Sequence, residues 1–134
     1  MSKVSDVNLY EVGPRDGLQN IDEFTPTNEK IDLIHRLYDV GLKQMEITSF
    51  VHPKYVPNMA DAEEVYQATR DIDNFAVLVP NQKGMDRAKA VGAEKVNVFF
   101  SASDSFNQAN LGKSMNKIVG ELDSMLQDTN TKNV

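Results

Sequence analysis

Arg15 and Asp16 stand side by side, opposite in charge, between chain breakers: Gly13-Pro14 before them and Gly17 after. A guanidinium can clamp an oxyanion or a carbonyl through paired N–H donors. A carboxylate is a hard oxygen ligand for a divalent cation. The pair follows a short apolar segment, Val7 to Val12, that reads as a strand. Pro14 lacks an N–H and fixes its own φ, so the strand ends there; Gly17 then permits a turn with positive φ. Polar residues where a strand runs into its loop are where α/β barrels keep their chemistry. An Arg-Asp pair in a Gly/Pro loop is also the ordinary make-up of a solvated turn, with the Asp bonding its own backbone. On spacing alone both readings stay open.

Other polar groups fall at comparable places. Glu46 lies inside the apolar run Lys43 to Phe50, among Met45, Ile47 and Phe50. An acidic side chain in the middle of a buried strand is costly unless paired, and Arg15 is its natural partner. Glu11, in the first strand, is either a carboxylate supporting Arg15 or half of a structural ion pair. Thr48 and Ser49 close the second strand, where hydroxyls can reach a substrate. Asn81 sits at the exit of the third strand, as a polar contact to substrate or as an Asx turn. His35 and His52 are the only histidines, and neither has metal-ligand spacing.

The elements that must position these groups alternate. After the first strand, Thr25-Pro-Thr-Asn-Glu opens a helix: Thr25 can cap it, Pro26 suits its first turn and Glu29 adds favourable charge. Ile31, Ile34, Leu37 and Tyr38 form its apolar face, and Gly41 stops it. The second strand is Lys43 to Phe50, followed by a loop with two prolines, Val51 to Met59. A helix from Ala60 to Thr69 leads to the third strand, Phe75 to Val79, whose continuous apolar run suits a sheet covered on both faces. Met85 to Val91 is a short helix, and Lys95 to Phe100 the fourth strand. Ser101 to Asn110 reads as a polar exit loop. A last helix starts near Ser114, with Met115, Ile118, Val119, Leu122, Met125 and Leu126 as its stripe, before a polar end from Gln127 to Val134. Four strand–helix units of this spacing imply an α/β fold of parallel strands with right-handed crossovers.

At 134 residues the chain can bury a real core as one unit, residues 1–134. A net charge of −6 argues against non-specific nucleic-acid binding, yet a few local Lys and Arg can still hold an anionic ester. No apolar run approaches the length that crosses a bilayer. No cysteine is present, so neither disulfides nor thiolate chemistry are available. With no targeting segment evident, a cytoplasmic location is expected.

The run Glu-Val-Gly-Pro-Arg-Asp-Gly-Leu-Gln-Asn, residues 11–20, resembles the signature at the end of the first strand in hydroxymethylglutaryl-CoA lyases. These belong to the metal-dependent TIM-barrel lyases and acyl transferases that share an Asp-Arg-Glu constellation. Residues 49–59, Ser-Phe-Val-His-Pro-Lys-Tyr-Val-Pro-Asn-Met, resemble a second segment of that family. Leu18 leans toward the lyase branch, because the related synthases usually carry an acidic residue there. His52 falls at a variable position of the pattern.

The resemblance implies a partial TIM (β/α)8 barrel and specific roles. Arg15, Asp16 and Glu46 would be catalytic, with Arg15 polarising a substrate carbonyl and Glu46 orienting it. Asp16 would bind a divalent metal, Mg2+ or Mn2+. Arg15, Gln19, Ser49 and Asn81 would line the acyl-CoA pocket. The reaction implied is a retro-Claisen cleavage of hydroxymethylglutaryl-CoA to acetyl-CoA and acetoacetate. The rivals are a lyase for another 3-hydroxyacyl-CoA, a Claisen-type synthase, or an inactive fragment. The resemblance covers four of the family's eight units, its N-terminal half, with Lys132 to Val134 near the start of a fifth strand. The family's His-x-His pair, a further Asn and a late Cys find no counterpart here. Asp16 alone cannot satisfy a cation that wants about six ligands. The expectation is therefore a truncated chain or one half of a split enzyme, with open edges that invite a homodimer or the missing C-terminal half.

Overall fold

The computed structural model describes residues 7–127. Three parallel strands carry the site: β1 (Met45–Ser49), β2 (Phe75–Leu78) and β3 (Val96–Asn97), in that spatial order. Helix α1 (Thr27–Asp39) precedes β1; α2 (Ala62–Thr69) and α3 (Gln82–Ala90) lie between the strands; α4 (Asp104–Leu111) and α5 (Met115–Gln127) follow β3. Parallel neighbours need crossovers, and the helices supply them.

Alternation along the strands sorts two faces. Met45, Ile47, Phe75, Val77 and Val96 point into one apolar core with Ile34 of α1, Val65 and Tyr66 of α2, Met85 and Ala88 of α3 and Met125 of α5. Glu46, Ala76 and Asn97 therefore occupy the opposite face of the sheet. The register shifts between Glu46 and Thr48, so the far end of β1 pairs out of step with its start.

The first strand is much shorter than its apolar composition suggests. Only Glu11 pairs, in a single parallel bridge to Met45: its amide donates to Gln44 O at 2.9 Å and its carbonyl accepts from Glu46 N at 2.9 Å. Val7, Leu9 and Tyr10 are exposed. The fourth strand likewise shrinks to two residues, leaving Phe99 and Phe100 exposed.

Several boundaries move for local reasons. Gly17 does not take positive φ; it closes a five-residue π-type turn, Gly13–Gly17, in which the amides of Asp16 and Gly17 both point back to Val12 O. Thr25 does not cap α1. Pro26 holds the cap position, and the Thr25 amide goes to Asn58 Oδ1 instead. Gly41 does end the helix, at φ +107°. α3 starts three residues earlier than its apolar pattern, and residues 104–110 of the expected polar loop are helical, within a helix that runs on to Leu111. On α5, Ile118 and Met125 are buried while Val119 and Leu126 are exposed. The expected tail and fifth-strand start, 128–134, lie outside the described residues.

Arg87 of α3 locks the exit of β1. Its guanidinium forks onto Glu63 of α2 at 2.7 and 2.9 Å and donates to Val51 O at 3.1 Å. That hydrogen-bonded cation holds the Glu63 carboxyl below its ordinary value.

Candidate active site

The π-type turn is what aims Arg15. It follows directly from the Glu11 bridge, so the guanidinium emerges beside the start of β1. Gly13 sits where a Cβ would come within 2.8 Å of the Glu11 carboxylate, and its amide donates to that carboxylate at 2.5 Å. Glu11 thus braces the turn through a backbone amide, rather than acting as an ion-pair partner for Arg15.

Arg15 Nε donates to Glu46 Oε1 in a short charge-assisted contact between residues 31 apart in sequence. Its Nη1 donates to Asp16 Oδ1 at 2.9 Å. A guanidinium carries five N–H groups. One goes to Glu46 and one to Asp16, so the rest of the fork remains for a ligand. Burial grades across the cluster: Glu46 is 5% exposed at its side chain, Arg15 17% and Asp16 53%. The innermost carboxylate is therefore a support, and the outermost one meets solvent. The expected Arg15–Glu46 pairing and the adjacency of Asp16 are both present.

One member of the cluster escapes a reading of the sequence. Asn97 of β3 donates through Nδ2 to Glu46 Oε2 at 2.5 Å and to the Tyr10 hydroxyl at 2.9 Å. Its signal is a lone amide between two valines in a strand, which places it on the face of Glu46. Partial burial, and then the nearby Glu46 charge, push the Tyr10 phenol above its ordinary value, against the opposing Asn97 hydrogen bond. Tyr10 is thus a neutral partner near pH 7.

The remaining candidates disperse. Ser49 is fully buried, and its Oγ accepts from the Val51 amide at 3.3 Å. Gln19 is half-buried on the helical turn that continues from Gly17. Asn81 caps α3, its Oδ1 accepting from Gly84 N at 3.0 Å. Replacing Asn81 with alanine removes that cap and is expected to cost about 1 kcal/mol, read as a lower urea midpoint; an unchanged midpoint would take the helix start away from this side chain. His52 is exposed, its ring edge-on to Tyr55.

Asn81 also borders a cavity of roughly 510 Å³ at the strand exits, walled by Val51, Val98, Phe99 and Ile118 with Lys113 at its edge. A neighbouring groove adds Lys83 and Lys117. Arg15, Asp16 and Glu46 do not line either one. Among the described residues no three His, Cys, Asp or Glu side chains cluster closely enough to hold a metal ion. Asp16 offers one oxygen beyond the one Arg15 engages. The donor set present does not fit a divalent cation by itself. Nor, among the described residues, is any helix long and apolar enough to cross a membrane.

Known proteins resemble this chain in sequence and in fold. The mitochondrial hydroxymethylglutaryl-CoA lyase of Arabidopsis thaliana is 49% identical over 107 residues, which is 78% of this chain and 23% of the plant protein. The cytoplasmic 3-hydroxy-3-methylglutaryl-CoA lyase of Homo sapiens is 39% identical over 130 residues, 96% of this chain and 35% of the human one. The structure of an HMG-CoA lyase from A. baumannii, in complex with coenzyme A and 3-methylmalate, superposes with a TM-score of 0.85 at 38% identity, over 92% of this chain and 41% of that one. The chain thus spans well under half the length of these relatives, and its parallel α/β fold corresponds to part of their TIM barrel. The HMGL-like family model matches residues 6–134, from just before the Glu11 bridge through α5, and the chain belongs to that family.

Proposed function

We propose that this chain supplies the Arg-Asp-Glu portion of a hydroxymethylglutaryl-CoA lyase. The observation that carries the reading is the Arg15–Glu46 contact: two residues far apart in sequence converge at the strand ends, with part of the guanidinium left for a ligand. In the cleavage, the tertiary hydroxyl of the substrate loses its proton and the bond between C2 and C3 breaks. The electron pair moves onto the thioester side as the enolate of acetyl-CoA, which then takes up a proton, and acetoacetate is the other product. Arg15 faces the oxygen on which negative charge develops, where a preorganised donor is worth most. Glu46 fixes its orientation. Asp16, exposed beside it, is placed to help move the hydroxyl proton. Gln19, half-buried on the turn after Gly17, and Ser49, at the end of β1, are the further residues assigned to the acyl pocket.

Asn81, with Lys83 and Lys117 near it, suits the anionic part of an acyl-CoA, next to an apolar wall for its pantetheine arm, while Lys113 at the same edge is paired with Glu121. A Mg2+ or Mn2+ ion would take one oxygen from Asp16 and its other ligands from outside the described residues. Exposed Val7, Leu9, Phe99 and Phe100 form the surface that the remaining strands of a barrel, or a second copy of this chain, would cover. The proposed compartment is the cytoplasm, in keeping with a cysteine-free chain.

The test is hydroxymethylglutaryl-CoA cleavage with Mg2+ or Mn2+ by the purified chain, alone and mixed with a polypeptide carrying the part of a matched lyase that this chain does not span. Activity in the mixture alone is the expected result. No activity in either, with association demonstrated, would remove this substrate and favour another 3-hydroxyacyl-CoA or an inactive role.

A further inference from the structure

We infer that Asn97 is a positioning residue of this site: it fixes the carboxylate of Glu46 and, through it, the direction of the Arg15 guanidinium. The inference rests on the reading of Arg15 as the group that faces the substrate. Glu46 is almost closed to solvent, so each of its oxygens needs a partner within the protein. Oε1 has Arg15. Oε2 has Asn97. A carboxylate held at one oxygen alone can pivot about its χ3 torsion, which is broad and soft. Held at both, it presents Oε1 to Arg15 in one direction.

The geometry that allows this is specific. Glu46 and Asn97 belong to β1 and β3, with β2 between them. Across β2, Glu46 pairs with Ala76, and Asn97 pairs with Leu78. Ala76 is a small side chain on the shared face, and that leaves room for the two longer ones to meet over it. The same Asn97 amide group donates to Tyr10, five residues ahead of Arg15 on the segment that leads into the π-type turn. The contacts therefore close a circuit: Tyr10, Asn97, Glu46 and Arg15, joined back through Glu11 to Pro14 of the backbone. Asn97 ties both ends of the turn's support to one point on β3. Its amide is neutral, so it positions Glu46 without competing with Arg15 for the charge.

The experiment follows the Arg15 Nε–H signal by 15N NMR in the full chain. In the parent it is expected to exchange slowly with water. Asn97→Leu keeps the branched heavy-atom outline and removes the donor, so that exchange should rise about tenfold, as expected for the loss of one supporting hydrogen bond. The amides of Ile47 and Val77 should keep their protection, and Asn97→Gln, which restores a donor, should recover part of the difference. Exchange at Arg15 within about twofold of the parent, with the core amides intact, overturns the inference. If Asn97→Leu also strips the core amides, Asn97→Val, smaller and without any donor, is judged by the same threshold. In the mixed lyase assay, Asn97→Leu should lower kcat about tenfold with KM nearly unchanged. A changed Arg15 signal with no cleavage in any variant, the parent included, and with association of the two polypeptides demonstrated, upholds the positioning role and overturns the lyase reading.

Discussion

Replacing Arg15 by glutamine is expected to lower kcat for hydroxymethylglutaryl-CoA cleavage by about a thousandfold in the mixed assay, roughly 4 kcal/mol of transition-state stabilisation. KM should move by no more than about threefold. The asymmetry follows from where the charge is. In the ground state the substrate oxygens near Arg15 are neutral, and a neutral acceptor gains little from a guanidinium. As the carbon–carbon bond breaks, negative charge grows on one of them, and the interaction strengthens with it. Glutamine keeps much of the length and one N–H pair but loses the charge, the fork and the contact to Glu46. It also leaves the 5%-exposed Glu46 carboxylate without its cation, so part of the loss comes through disorder of the site. Equal losses in kcat/KM and in affinity, with kcat preserved, would show that Arg15 binds substrate uniformly and does not act on the transition state. Lysine at this position should rescue only weakly, because a single ammonium cannot contact Glu46 and a ligand through the same planar fork.

The Arg15–Glu46 pair was legible in the sequence for a physical reason: a carboxylate between Met45 and Ile47 in a buried strand demands a cation, and few cations sit at a strand exit. Gly41 was equally plain, since a residue with φ near +107° after a helix favours glycine. Other features had no such local signature. The run from Val7 to Val12 has strand composition, but strand length depends on a neighbour to pair with, and only Glu11 finds one. α4 hides in a polar sequence: Ser103 caps it by accepting from Phe106 N, and the buried Asn107 side chain binds the backbone of Ser101 at both ends. Serines and asparagines that make a helix start look the same, in a string of letters, as those that make a loop. Asn97 could be placed on a face by alternation, but its contact depends on which strands flank β2.

The least visible feature carries the second large effect. Replacing Asp61 by alanine is expected to destabilise the fold by about 3–5 kcal/mol, because it strands a buried cation. Lys30 is 3% exposed at its side chain and Asp61 8%. Lys30 Nζ donates to Asp61 Oδ1 at 2.7 Å and to the carbonyl of Asn58, and it lies 4.3 Å from the centre of the Phe24 ring. Thr27 Oγ1 donates to the other oxygen of Asp61 at 2.7 Å. The cluster joins α1 to the start of α2. It also anchors Asn58, whose side chain binds the backbone at Leu18, Ile21, Glu23 and Thr25. Those residues continue from the Arg15–Asp16 turn, so the buried pair holds the segment that leaves the site. With total stabilities of roughly 5–15 kcal/mol for such domains, Asp61→Ala would remove from about a fifth to nearly all of it. Urea unfolding of the chain measures it directly. The double variant Lys30→Met with Asp61→Leu should recover more than half of the loss, since an apolar pair leaves no unpaired charge. A midpoint shift worth less than about 1 kcal/mol for Asp61→Ala would instead mark the pair as solvated, at the median of surface ion pairs. The clamp on the Leu18–Thr25 segment would then have to rest on Asn58 alone.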